Sequence, residues 1–200
     1  MLKRLTLAFA ALAISAAPAF AHLDPAEHGS FAAGFSHPLF GLDHILAMVA
    51  VGLWAALLAN GEDRRAVWLV PTAFVATMMA GFAVALGGFG LPFVEPVIAA
   101  SVVVIGLLAL VALQVPTLVG MVMVGFFAFF HGYAHGGELG DAGAWPFMAG
   151  FAIATALLHA AGVGIGLAFA KLAGGGTGRW ITRALGGLTA LGGMWIMAGG

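Results

Sequence analysis

Apolar residues run along this chain in long unbroken blocks instead of alternating with polar ones. Blocks able to cross a hydrocarbon layer lie at about residues 38–59, 66–88, 94–113, 116–135, 145–170 and 181–199. Each is near the roughly 20 residues that a spanning helix needs. The pattern predicts an all-α fold, a polytopic membrane bundle of six transmembrane helices forming one domain over residues 22–200. Pro92 and Pro96 bracket the entrance to the third helix, and Gly174-Gly175-Gly176 breaks the fifth from the sixth.

A shorter apolar run, residues 5–17, follows Lys3 and Arg4 and leads to Ala19-Phe20-Ala21, the small-residue pattern of a signal-peptidase site. Residues 1–21 are therefore expected to be a cleaved signal peptide, which starts the mature chain at His22 on the outer side of a bacterial-type inner membrane. With that start, the connection holding Arg64 and Arg65 and the one holding Lys171, Arg179 and Arg183 both fall in the cytoplasm. All basic residues after the signal peptide then lie inside, as the positive-inside rule requires. Asp24, Glu27, Glu95, Glu138 and Asp141 fall outside.

Composition narrows the function. Hydrophobic residues make up 62% and charged ones 8%, which excludes an ordinary soluble domain. Seven basic against eight acidic residues leave no cationic surface for nucleic acid, so the expected partners are membrane lipid and small ions. There is no cysteine, so any metal site must be built from nitrogen and oxygen.

Two polar clusters interrupt the apolar blocks. Ser36-His37-Pro38-Leu39-Phe40-Gly41-Leu42-Asp43-His44 lies at the outer mouth of the first helix. Pro38 suits a first helical turn, which puts His37 at the cap. At about 100° per residue, positions 37 and 44 then share one stripe, with Asp43 beside it. The second cluster, Phe130-His131-Gly132-Tyr133-Ala134-His135-Gly136-Gly137-Glu138, closes the fourth helix. His131, His135 and Glu138 fall within an arc of about 60° on one face. Gly132, Gly136 and Gly137 are expected to relax this helix and let its carbonyls turn towards an ion.

Imidazole and carboxylate both bind first-row divalent metals, and each must be deprotonated to do so, so acid weakens such a site. Ionisable groups inside a membrane are expensive, and two such clusters call for a shared reason. The candidate metal ligands are His37, Asp43, His44, His131, His135 and Glu138, with weaker candidates in Glu95, His159 and the exported His22. His28, near His22, offers a second imidazole for capture outside the membrane. Phe126, Phe127, Phe129 and Phe130 read as packing or lipid-facing residues, and the methionines at 48, 78, 79, 121 and 123 as apolar filling. Residue chemistry alone leaves four readings open: a metal permease, a membrane metalloenzyme, a haem-binding carrier, and a sensor or partner subunit that binds metal without moving it.

The two motifs together with the signal peptide and six spans resemble the HupE/UreJ family of nickel permeases, associated with hydrogenase and urease. The likeness covers nearly the whole mature chain and includes Ile45-Leu46-Ala47-Met48 after the first motif. It implies a non-enzymatic protein with no permanent cofactor, which carries nickel, or cobalt, into the cytoplasm for acceptor proteins that mature metalloenzymes. It places His37, Asp43, His44, His131, His135 and Glu138 in the family's polar motifs. Glu95 and His159 are candidates from membrane position alone.

Overall fold

The computed structural model describes residues 30–59, 63–139 and 143–199. The expected signal peptide, His22 and His28 lie outside these residues. Among the described residues the chain is all helical: α1 Phe31–Phe40, α2 Leu42–Ala59, α3 Ala66–Leu86, α4 Val94–Val111, α5 Thr117–Leu139, α6 Ala144–Leu172 and α7 Gly175–Met197.

The five helices α2 to α6 are long and apolar enough to cross a membrane, and the protein is an integral membrane protein. The sixth expected span, α7, has 23 residues but is diluted by glycine and carries Arg179 and Arg183 in its first turns. It begins earlier than its apolar block suggests. Gly174 makes the break with φ 80°, a conformation that favours glycine, and Gly175 and Gly176 are already helical. Arg183 is accommodated at the end of α4, where its Nε donates to the Leu110 carbonyl at 2.7 Å and its guanidinium stacks on Trp180. A cation at a helix C-terminus is favourably placed against the helix dipole.

The first expected helix is two helices. Ser30 caps α1 by accepting from the Ala33 N–H at 3.0 Å, so the helix begins well before His37. Pro38 therefore sits in the last turn of α1, not the first turn of a spanning helix. The chain turns extended at Gly41 (φ −81°, ψ 116°) and restarts as α2, with Asp43 in the new first turn. The single-stripe argument for His37 and His44 fails at this break.

Helix α2 is the centre of the bundle and packs against α1, α3, α4, α6 and α7. It has no polar face, and Met48, Val51, Trp54 and Leu57 are all buried on it. Glycine sets the helix separations. A Cβ at Gly52 of α2 would strike the His159 carbonyl of α6, and one at Gly162 of α6 would strike the Val49 carbonyl of α2. The same reciprocity joins α3 to α5 through Gly81 and Gly132, and α4 to α7 through Gly106 and Gly186. Backbone contact of this kind lets helices associate without a hydrophobic driving force between them.

Polarity is segregated along the bundle. Arg64 and Arg65, Lys171, Arg179 and Arg183 lie at one end, near the start of α3 and the α6–α7 junction. The histidines of both motifs lie towards the opposite end. At the basic end, Asp63 accepts from Arg65 and from the Thr117 hydroxyl at 2.8 Å, which ties the α2–α3 connection to the start of α5.

Candidate metal centre

Three helices bring imidazoles to one point. His37 comes from the last turn of α1, His44 from the first turn of α2, and His135 from the last third of α5. One ring nitrogen from each lies within 4.8 Å of the others. The His44 and His135 Nε2 atoms are 2.8 Å apart, and the His37 ring centroid is 4.4 Å from that of His135 and 5.1 Å from that of His44. His44 and His135 are buried and His37 is half-buried, so the cluster sits just below the surface. Phe151 of α6 covers its remaining side, with centroids 4.8 to 5.9 Å from all three rings.

The break in the first helix is what makes this geometry. A continuous helix would carry His37 a full two turns above His44. The extended residue at Gly41 folds α1 back so that both rings meet His135. Gly41 also leaves room for chemistry, since a Cβ there would lie 2.8 Å from the His44 Nδ1 and 3.0 Å from an Asp43 carboxylate oxygen.

Asp43 stands behind the cluster. The His44 Nδ1–H donates to the Asp43 Oδ1 at 2.8 Å. The bond fixes the tautomer of His44 and turns its Nε2 lone pair towards His37 and His135. A carboxylate behind a histidine in this way orients the ring and raises its basicity towards a metal. Sequence spacing put Asp43 among the ligands; the structure puts its carboxylate on the histidine.

His131 lies one turn below His135 on α5 and is fully buried, with its ring centroid 5.8 Å from that of His44. Its Nδ1–H donates to the Phe127 carbonyl at 3.0 Å, and its Nε2 has no hydrogen-bond partner. His159, on α6, is also fully buried and neither of its ring nitrogens has a partner. Glu138 lies on the last turn of α5. Glu95 is exposed in the first turn of α4, and no contact seen among the described residues joins it to the histidines.

The glycines of the second motif have a different part from the expected one. Helix α5 runs unbroken to Leu139, and Gly132 and Gly136 face the Met78 and Phe82 carbonyls of α3. They admit a neighbouring backbone and do not turn carbonyls towards an ion. Sequence reading also missed Tyr133, whose hydroxyl accepts from the Leu91 N–H at 3.0 Å and donates to the Phe89 carbonyl, holding the α3–α4 connection beside the motif. Phe151 carried no local signal, because nothing distinguishes it from the other phenylalanines in an apolar block.

The family model described as HupE / UreJ protein matches residues 10–196. The chain belongs to the HupE/UreJ family. Protein HupE of Rhizobium leguminosarum bv. viciae is 42% identical over 199 residues, which is 98% of this chain and 98% of that protein. No solved structure matches the chain. The convergence of His37, His44 and His135 is a property of this chain's own geometry.

Proposed function

We propose that this HupE/UreJ protein carries a divalent transition-metal ion, nickel first and cobalt second, across the bacterial inner membrane into the cytoplasm. The observation that supports this reading is the set of three imidazoles from α1, α2 and α5 with ring nitrogens inside 4.8 Å. Neutral imidazole suits nickel, cobalt, copper and zinc. Three nitrogens leave coordination positions for water, so the ion sheds only part of its hydration shell on entry and can leave again.

In this reading the histidine end faces the periplasm and the basic end the cytoplasm, which follows the rule for lysine and arginine. Residues 1–21 are a cleaved signal peptide, residues 22–200 form the transport domain, and α7 completes six crossings. Its 23 residues span about 35 Å at helical rise. His37, His44 and His135 hold the ion. Asp43 acts through His44, and Glu138, on the last turn of α5, joins the metal ligands. His131 offers the next nitrogen inward. The exported His22 captures metal ahead of the site. Cytosolic acceptor proteins that serve hydrogenase or urease take the ion on release.

Transport fits better than the other chemistries. Haem needs its axial histidines on opposite faces of a porphyrin, and a 2.8 Å separation of the His44 and His135 nitrogens leaves no room for one. A hydrolytic metal site needs a general base near the open position. Asp43 is turned to the His44 Nδ1 on the side away from the cluster.

The test is uptake of radioactive nickel by nickel-starved cells that produce the wild type, His44→Ala or His135→Ala at matched membrane levels, with cobalt and zinc as competitors. Wild-type uptake that both substitutions abolish supports the reading. Uptake equal to that of cells lacking the protein overturns it.

A further inference from the structure

Buried polar side chains in this bundle are satisfied with few exceptions. The hydroxyls of Ser101, Thr182 and Thr189 bond to carbonyls of their own helices, and the Thr155 hydroxyl donates to the Met78 sulfur at 3.8 Å. Among the described residues, three buried side-chain nitrogens have no partner: Nε2 of His131 and both nitrogens of His159. Buried polar groups are ordinarily paired, and an imidazole with both nitrogens bare calls for an explanation. A leucine of similar volume would fill the place of His159 without that penalty.

The unpaired nitrogens are arranged along the bundle. The outer cluster lies at His44, on the first turn of α2. His131 is one turn deeper on α5. The His159 carbonyl abuts Gly52, which is eight residues beyond His44, or about 12 Å further in. Phe74 of α3 lies against both inner histidines, its ring centroid 5.9 Å from that of His131 and 4.8 Å from that of His159. Beyond this level the centre of the bundle is packed by apolar side chains, Trp54, Leu57, Val70 and Val124 among them.

We propose that His159, together with the unpartnered Nε2 of His131, is an inner station for the same divalent ion, reached from the outer cluster and bordered by the ring of Phe74. The proposal rests on the transport reading above and adds a second site to it. Imidazole is the donor there, so the ligand class is again a first-row divalent cation able to take nitrogen. The bare nitrogens are the stability forgone to keep a landing place in an apolar core.

The experiment is equilibrium dialysis of the purified full-length protein against radioactive nickel, with uptake and thermal stability measured on the same variants. Wild type, His159→Leu, His159→Gln and His44→Ala are compared. The expected result is a second nickel ion per chain in the wild type that both His159 variants lose while outer-site affinity is unchanged. Uptake falls in both, and His159→Leu melts at a higher temperature than the wild type because an unpaired imidazole has been replaced by packing. A lower melting temperature for His159→Leu, with one nickel per chain and full uptake, would overturn the station and make His159 a structural residue. Loss of folding in His159→Leu leaves His159→Gln to decide on binding and uptake alone. The reading it rests on fails separately: nickel binding and uptake unaffected by His44→Ala would overturn the outer cluster as the entry site, and wild-type uptake equal to that of cells lacking the protein would overturn the transport reading itself.

Discussion

His44 and His135 lie 91 positions apart in the sequence, yet their Nε2 atoms are 2.8 Å from each other, and the Nδ1 of His44 is held from behind by Asp43. With its Nδ1–H donated to Asp43, the His44 ring turns its Nε2 to the His135 Nε2, so the orientation of both imidazoles is set by the protein itself.

Asp43→Asn removes the negative charge behind His44 and permits the opposite tautomer. Nickel uptake should fall about 10- to 100-fold, the range for loss of a partner behind a metal-binding histidine. The protein should remain in the membrane at wild-type amounts. Combined with His44→Ala, the substitution should have no further effect, since both act on one ring. Uptake assays on the single and double variants provide the check.

Gly41→Ala should mimic Asp43→Asn. The added methyl meets the Asp43–His44 pair and not a core side chain. The expected signature is a large loss of nickel affinity with little change in melting temperature, read by dialysis and thermal unfolding of one preparation.

Gly132→Ala should behave in the opposite way. Its methyl would collide with the Met78 carbonyl and force α3 and α5 apart, destabilising the protein by about 1 to 3 kcal/mol, the usual range for overpacking. Gly137→Ala, five residues along the same helix, meets nothing within 4 Å and should leave the melting temperature unchanged. Comparison of the two separates glycine needed for helix contact from glycine that merely accompanies the motif.

At the basic end, hydrogen bonds from Arg65 and Thr117 lower the Asp63 carboxyl from its ordinary 3.8 to about 2. A depressed carboxylate contributes stability that is fully present above its ordinary value and lost as pH falls through the folded value. The difference in melting temperature between wild type and Asp63→Asn should thus be constant from about pH 5 to 8 and shrink only in strong acid. A fall in uptake on acidification that leaves this difference unchanged would then report proton competition for the metal's ligands, because metal must displace protons there.

The all-helical fold and the positions of most helices could be read from the apolar blocks, because a spanning segment satisfies its backbone internally and its length is fixed by the bilayer. The break at Gly41 could not. Pro38 reads equally as the first turn of one helix or the last turn of another, and only the Ser30 cap, upstream of the apolar block, favours the second. The early start of α7 was hidden because Gly174-Gly175-Gly176 reads as a linker, whereas Gly174 alone makes the break and the next two residues are already helical. Helical spacing placed His131 and His135 on one face of α5, and both are found pointing inward. Which histidines converge was beyond any periodicity argument, because His37, His44 and His135 meet through the turn between α1 and α2 and the packing of α5. The role of Asp43 likewise depends on a bond to its neighbour in sequence, which spacing cannot distinguish from a bond to metal.

The reciprocal glycine contacts also have a mechanical meaning. Helices whose backbones touch move as one body, and the seams that yield are those where side chains alone meet. Helices α3 and α5 are locked to each other by Gly81 and Gly132, whereas α5 meets α6 only weakly. The outer cluster straddles such a seam, since His135 belongs to the α3–α5 body and His37 and His44 to the body built round α2 and α6. Phe74 rides on the first body and His159 on the second. A small tilt of one against the other would draw His135 away from His37 and His44 and move the Phe74 ring against His159 in the same motion.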